Sequence, residues 1–184
     1  MLKDHLSTHI DTAYGSLGKT QEGVGYKSYT MGFLLPAVIA LQTTGDSSLY
    51  DQLAAKKSWL QMMHMGSFST NGINEDVREM PQYLQSGVGG TVFFEEGWSS
   101  LELAMVPADR LPYYLYFYDR LTGLEAARQP MEKFDNNRAG TTWALLFYPI
   151  GVSAVDPSLA LPFAAGDDRG YYFSATGGKT GTIY

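Results

Sequence analysis

The feature that most constrains this chain is an apolar segment over residues 28–42, SYTMGFLLPAVIALQ. Its length and lack of charge predict a helix, and apolar side chains on nearly every face place that helix inside a larger helical assembly. Pro36 lies in the middle of the segment and is expected to bend the helix, because it removes one backbone donor and its ring crowds the preceding turn. The sequence therefore predicts a fold built around one buried helix.

A Gly-rich polar turn leads directly into this segment. Residues 21–27, QEGVGYK, contain Glu22 and Tyr26, and Tyr29 follows three residues after Tyr26. Side chains three residues apart on a helix share a face, so the two phenols are expected to point to one place. A polar loop held on a buried helix is typical of a functional site, because a rigid element positions the side chains of the loop. We therefore expect the site at the start of the apolar helix.

Further helices are predicted wherever apolar residues recur at helical spacing. The predicted segments are residues 2–13, 48–65, 99–105, 108–122 and 139–148. Gly45 and Asp46 are expected to end the apolar helix, and Asp46 or Ser47 to cap the next one. Residues 66–97 are rich in Gly, Asn and Ser, which predicts an ordered excursion that lines a cleft, with a short helix near residues 80–85.

The character of the sequence changes after Pro157. Two short β-type runs, RGYYFSATG and KTGTIY, are separated by Gly residues and predict the two strands of a hairpin. The expected fold class is mainly α, with antiparallel helix pairs over residues 1–156 and a short antiparallel β segment over residues 157–184. Recurrent helix pairs are common to toroids and solenoids, and spacing alone does not separate the two.

Composition narrows the range of partners and cofactors. The net charge of −6, with 13 dispersed Lys and Arg residues, argues against nucleic acid, because phosphate binding needs clustered positive charge. No apolar stretch is long enough to span a bilayer, and the lack of Cys excludes disulfides and thiolate chemistry. His5 and His9 are one helical turn apart, but no carboxylate ligand accompanies them, so we expect neither a metal nor another cofactor.

Residues 22–46, EGVGYKSYTMGFLLPAVIALQTTGD, resemble the E-G-x-G-Y-x-x-Y segment and the following apolar helix of the heparinase II/III-like polysaccharide lyases. The likeness continues more weakly through LPYYLYFYDRLTG, NRAGTTWALLFYP and LPFAAGDDRGYYFSATGGKTGTIY. Because these enzymes have an (α/α) toroid followed by an antiparallel β domain, the resemblance implies a partial toroid over residues 1–156 and the first strands of an incomplete β domain over residues 157–184. It also implies that the chain is a piece of a longer, secreted or periplasmic protein.

The resemblance implies β-elimination on a glycan that contains uronic acid. Such a lyase removes the proton next to a carboxylate and expels the neighbouring glycosidic oxygen, which requires neutralisation of the carboxylate and a group that transfers protons. In the family a tyrosine transfers the proton, and the motif assigns that role to Tyr26. A phenol has a pKa of about 10, so nearby positive charge must assist it. Lys27, His64 and Arg138 are the candidates for that charge.

Other side chains are expected to contact an acidic polysaccharide or oligosaccharide. They are Glu22, Tyr29, His64, Trp98 and Arg138. The resemblance places the Asn or His partners of the tyrosine upstream and in the β domain, outside this chain. In addition, Ala175 and Gly178 stand where Arg and an aromatic residue are expected. We therefore expect weak activity or none from the isolated chain.

The candidate residues also have structural explanations. Glu22 can accept backbone N–H bonds at a helix start, and Tyr26 and Tyr29 can be ordinary core residues. Two other functions stay open, namely a toroid glycoside hydrolase that pairs Glu22 with Glu75 or Glu96, and a non-catalytic carbohydrate-binding or scaffold domain. Carboxyl groups that face each other at about 5 to 10 Å favour hydrolysis, whereas a cleft centred on Tyr26 favours elimination.

Overall fold

The computed structural model describes residues 2–20, 23–60, 63, 67–68, 78–79, 98–122, 138–156, 164–166, 168 and 172–174. This part is mainly helical, which confirms the predicted fold class at that level. Its helices are α1 (Leu2–Ala13), α2 (Gly23–Thr43), α3 (Ser48–Ala55), α4 (Trp98–Glu102), α5 (Leu111–Thr122) and α6 (Arg138–Phe147). The arrangement of these helices as part of a toroid, and the division of the chain at residue 156, stay predictions.

The core lies where the helices meet. Helix α2 packs against α3 and α4, α1 packs against α3, and α4 packs against α6. The side chains of Ile10, Leu35, Leu53, Leu101 and Leu115 are fully buried there. Full burial of one such side chain is worth about 2 kcal/mol, so contacts between helices outweigh the weak intrinsic stability of helices this short.

The described side chains of helix α2 are buried along one face and exposed on another, and the position of this helix inside a larger helical assembly stays a prediction. The buried side chains lie at helical spacing, and they are Met31, Leu34, Leu35 and Val38. On another face, Phe33 is 75% exposed. Among the described helices, α3 and α4 pack against α2. Pro36 lies inside the helix, as predicted.

The end of α2 and the start of α3 follow the predicted signals. Gly45 has a φ of +96°, its N–H donates to the Gln42 carbonyl at 3.0 Å, and the Asp46 N–H donates to the Leu41 carbonyl at 3.1 Å. These two bonds form a Schellman motif, which favours glycine at the left-handed position. The N-cap residue of α3 is Ser47, whose side chain makes no capping bond, and Asp46 Oδ1 instead accepts the backbone N–H of Ser48 at 3.2 Å. Lys3 and Ser48 together lower the pKa of Asp46 to about 2.

Helix α3 is shorter than the sequence predicts. Periodicity indicated one helix over residues 48–65, but α3 ends at Ala55 and residues 56–59 form a turn in which Lys57 has a φ of +54°. The reason is close packing on the 14–20 loop, where a Cβ at Gly18 would lie 2.4 Å from the Ser58 Cα. The buried Leu60 continues the apolar pattern after the turn. Periodicity therefore predicted which residues are buried but missed the break in the backbone.

Helix α5 carries the aromatic segment. Its predicted start at residue 108 is wrong by three positions, because residues 108–110 form a turn in which the Pro107 carbonyl accepts the N–H groups of Arg110 and Leu111. Tyr114 and Tyr118 are buried, whereas Tyr113 and Tyr116 are half-buried. One face of the helix therefore contributes its tyrosines to the core.

Two short antiparallel strand pairs lie outside the helical core. Strand β1 (Ser67–Phe68) pairs with β2 (Arg78–Glu79), and β3 (Ala164–Gly166) pairs with β4 (Tyr172–Ser174). Strand β4 lies in the predicted RGYYFSATG run, but its partner β3 was not predicted. The KTGTIY run, the predicted helix near residues 80–85 and most of the 66–97 excursion lie outside the described residues.

A hydrogen bond connects the segment after residue 157 to the loop between α1 and α2. The backbone N–H of Ser16, in the loop between α1 and α2, donates to Asp168 Oδ1 at 2.7 Å. A bond to a charged acceptor is worth more than a neutral one, and it fixes a point of contact between the segment after residue 157 and the loop that precedes α2.

Candidate functional site

The predicted site residues fall on helices that pack against one another, although their side chains are not all described. Tyr26 and Tyr29 lie in the first turns of α2, Trp98 is the first residue of α4, and Arg138 is the first residue of α6. Helix α4 contacts both α2 and α6, so the backbones of these four predicted positions belong to one packed group of three helices. The side chains of these four residues lie outside the part that the structure describes.

The remaining predicted site residues cannot be placed. His64 and Glu22 lie outside the described residues, as do Glu75 and Glu96, which were considered as the carboxylates of a hydrolase. The roles of these residues stay predictions.

A buried ion pair lies beside the predicted catalytic position. Lys27, the residue after Tyr26, places its Nζ 3.0 Å from Glu102 Oε1, and both side chains are 0% exposed. The same Nζ donates a hydrogen bond of 2.6 Å to the Ser58 carbonyl. Lys27 thereby joins α2 to the end of α4 and to the turn after α3. Burial lowers the pKa of Lys27, and the charge of Glu102 opposes that shift.

Two buried tyrosines, Tyr114 and Tyr14, lie within the electrostatic reach of the Glu102 carboxylate. The Tyr114 hydroxyl lies 3.3 Å from Glu102 Oε2 and 2.8 Å from the Ser99 carbonyl, and it can donate to either acceptor. Burial, followed by the negative charge of Glu102, raises the pKa of Tyr114 well above its usual value and raises the pKa of Tyr14. Both phenols therefore stay neutral at physiological pH and do not serve as bases.

A second group of hydrogen-bonded phenols consists of Tyr118 and Tyr148. The Ser100 and Tyr118 hydroxyls are 2.9 Å apart, and the Tyr148 hydroxyl donates to Asp119 Oδ1 at 3.0 Å. The centroids of the Tyr118 and Tyr148 rings are 6.0 Å apart, so the contact between the rings joins the two hydrogen-bonded pairs. Burial raises the pKa of Tyr118 to about 12, while burial and the Asp119 charge raise the pKa of Tyr148. This group stabilises the contact between α5 and the end of α6.

The geometry changes the role that the sequence suggested for Lys27. The sequence offered its ammonium group as a positive charge that assists Tyr26, but the structure directs that group to Glu102 and to the Ser58 carbonyl. Its charge is balanced at 3.0 Å by a buried carboxylate, so the field that it exerts on other groups is reduced. Of the charges proposed to assist Tyr26, Lys27 is thus the one with a described structural partner.

Sequence analysis missed Glu102 altogether. A signal was available, because Glu102 stands in the apolar run LELAMV, where a lone charged residue inside a helix of a packed core needs a partner. Lys27 is likewise a lone charged residue, and it lies directly before the apolar segment of α2. The sequence marked both as charges in apolar surroundings, and only the packing of α4 on α2 showed that they pair.

Metal binding and membrane crossing find no support among the described residues. They hold no group of three or more His, Asp or Glu residues that could bind a metal ion, and His5 and His9 are exposed, with the His9 ring edge-on to Tyr14. None of the helices among them has the length and apolar character that crossing a membrane requires.

The comparisons with known proteins add no family assignment. Searches of family models, curated proteins and solved structures find no match to this chain. The likeness to heparinase II/III-like lyases therefore stays a prediction carried by the residues of the motif.

Proposed function

We propose that the chain is part of a polysaccharide lyase that cleaves a uronic-acid-containing glycan by β-elimination, outside the cell or in the periplasm. The observation that carries the proposal is the segment EGVGYKSY, with Tyr26 in the first turns of the long apolar helix α2. A helix of 21 residues packed on two neighbours is a rigid support, and proton transfer needs a group held in a fixed position.

In the proposed reaction, Tyr26 takes the proton next to the uronate carboxylate and returns one to the leaving glycosidic oxygen. The phenol must ionise below its ordinary pKa of about 10, which requires a positive charge or hydrogen-bond donors near its oxygen. His64 and Arg138 are proposed for that task, because the ammonium group of Lys27 is paired with Glu102. Glu22, Tyr29 and Trp98 are proposed to contact the sugar chain.

The test is an absorbance assay for the unsaturated uronate that elimination produces. The longest form of the protein that carries this sequence is mixed with alginate, heparan sulfate, hyaluronan and pectin in turn. Tyr26→Phe is expected to lower kcat at least about 100-fold, because positioned acid and base groups contribute that much or more. Tyr113→Phe removes a phenol from α5 and serves as the matched control, with activity expected to stay unchanged.

Each other result selects a different function. New reducing ends without a rise in absorbance would indicate hydrolysis and favour paired carboxylates. Binding of a glycan without either product, and unchanged in Tyr26→Phe, would favour a carbohydrate-binding or scaffold domain. Full activity in Tyr26→Phe would contradict the role of Tyr26 even if the protein is a lyase.

A further inference from the structure

We infer that the buried pair of Lys27 and Glu102 is a positioning device that holds the first turns of α2, and with them Tyr26, against α4 and the turn after α3. The part of the inference that concerns catalysis rests on the proposed function. The part that concerns the anchoring of α2 rests on geometry alone.

The start of α2 is weak when it is considered by itself. Gly23 and Gly25 lie in its first turn, and each costs about 1 kcal/mol relative to alanine in a helix. No acidic residue occupies that turn, and Lys27 brings a positive charge near the helix end where a negative charge is favoured. Within the helix itself the local sequence does not favour a start here, and only Glu22, directly before it, can support the start locally. A tertiary contact is therefore expected to contribute to its stability.

Lys27 makes that tertiary contact with two separate elements. Its Nζ lies 3.0 Å from Glu102 Oε1 at the end of α4, and it donates a bond of 2.6 Å to the Ser58 carbonyl. Both partners are themselves fixed. Glu102 lies within 3.3 Å of the Tyr114 hydroxyl, and the Ser58 backbone packs directly on Gly18. The ammonium group is thereby held by surroundings that have little freedom to move.

The anchor acts on Tyr26 through the backbone. Consecutive Cα atoms across a trans peptide are about 3.8 Å apart, so the position of the Tyr26 Cα follows that of Lys27. An error of about 1 Å in the position of a catalytic group can lower a rate about 100-fold. Glu102 is thus inferred to influence the reaction without touching substrate.

The experiment uses the double variant Lys27→Met/Glu102→Leu. Replacing both members of a buried ion pair by apolar residues often preserves stability, whereas removing one member leaves an unpaired buried charge. Hydrogen exchange is measured at the amides of residues 27–31, with residues 37–43 of the same helix as the internal reference. The double variant is expected to exchange at least about 10-fold faster at residues 27–31 only.

Lys3→Met is the matched control, because it breaks an exposed pair in which Lys3 Nζ lies 2.5 Å from Asp46 Oδ2. Exchange at residues 27–31 is expected to stay unchanged in this variant. Exchange in the double variant that equals the wild-type rate at residues 27–31 would overturn the anchoring, whatever the activity of the protein.

Kinetics separate positioning from a direct effect of charge. The double variant is expected to lose about 100-fold in kcat with little change in KM, and to keep the pH dependence of kcat. A shift in the alkaline limb of that pH dependence would overturn the inference, because it would mean that the charge of Lys27 tunes Tyr26. Recovery of wild-type kcat in a stable double variant would also overturn it.

The proposed function can fail separately. If no glycan is cleaved by the wild-type protein while exchange at residues 27–31 accelerates in the double variant, the anchor is supported and the lyase proposal is contradicted. If the wild-type protein is a lyase and exchange is unchanged, the lyase proposal is supported and the anchor is contradicted.

Discussion

At the scale of single residues, the most consequential groups are charges and hydroxyls that the fold has removed from water. Lys27 and Glu102 lose their hydration on burial, and their attraction at 3.0 Å offsets that loss only because hydrogen bonds supply the rest. Tyr114 contributes one of these bonds through its hydroxyl, which can donate to Glu102 or to the Ser99 carbonyl. The hydroxyl of a buried tyrosine should therefore matter more than that of an accessible one.

Comparison of two Tyr→Phe substitutions tests this argument. Tyr114→Phe is expected to lower the free energy of unfolding by about 1 to 3 kcal/mol, because the Ser99 carbonyl is left buried without its donor. Tyr50 donates a bond of 2.6 Å to the Ala104 carbonyl, but it is only half-buried, so water can replace its hydroxyl. Tyr50→Phe should cost less than about 1 kcal/mol. Urea denaturation of both variants measures the difference, and equal losses would contradict the importance of burial.

At the scale of elements, the turns determine how the helices meet. The turn at residues 56–59 exposes the Ser58 carbonyl to Lys27 and brings the Ser58 backbone against Gly18. Gly18 has a φ of +73° and no room for a side chain, whereas Gly45 has a φ of +96° with open space around it. Both glycines adopt the left-handed backbone conformation. Of the two, only Gly18 also allows close contact between its own loop and the turn at residues 56–59.

Alanine substitution separates these two requirements. Gly45→Ala is expected to cost about 1 to 2 kcal/mol, which is the strain of a left-handed conformation for a residue with a Cβ. Gly18→Ala carries the same strain and also forces a Cβ to within 2.4 Å of the Ser58 Cα. The added overpacking should bring the loss to roughly 3 kcal/mol or more. Denaturant unfolding of the two variants gives both values, and a loss no larger at Gly18 than at Gly45 would show that the loop moves away without cost.

At the scale of the whole molecule, the buried phenols make stability depend on alkaline pH. Tyr14, Tyr114 and Tyr118 all have raised pKa values because they are buried, and the value for Tyr118 is about 12. In the unfolded chain they ionise near pH 10. Their contribution to stability is therefore complete below pH 10 and is lost as the pH rises from there through the folded values.

We expect the free energy of unfolding to fall steeply above about pH 10. Each tyrosine with a raised pKa lowers the free energy of unfolding by up to about 1.4 kcal/mol per pH unit, so the three buried tyrosines together give up to about 4 kcal/mol per pH unit. The lowered pKa of Lys27 acts in the opposite direction, but only up to the unfolded value of about 10.4. Guanidinium unfolding between pH 9 and pH 11.5 measures the slope. Tyr118→Phe should lower the slope by up to about 1.4 kcal/mol per pH unit, and stability that stays flat to pH 11 would contradict the prediction.

The sequence by itself predicted the approximate positions of the helices, because apolar spacing and the helix-ending Gly45 act locally within one or two turns. It also singled out Tyr26 through a local motif. It predicted neither the break after Ala55 nor the partner of Lys27. These features depend on contacts between residues far apart in the chain. Only the tertiary structure decided them, because the free energy of a buried charge or a close backbone contact is fixed by the atoms that surround it and not by its neighbours in sequence.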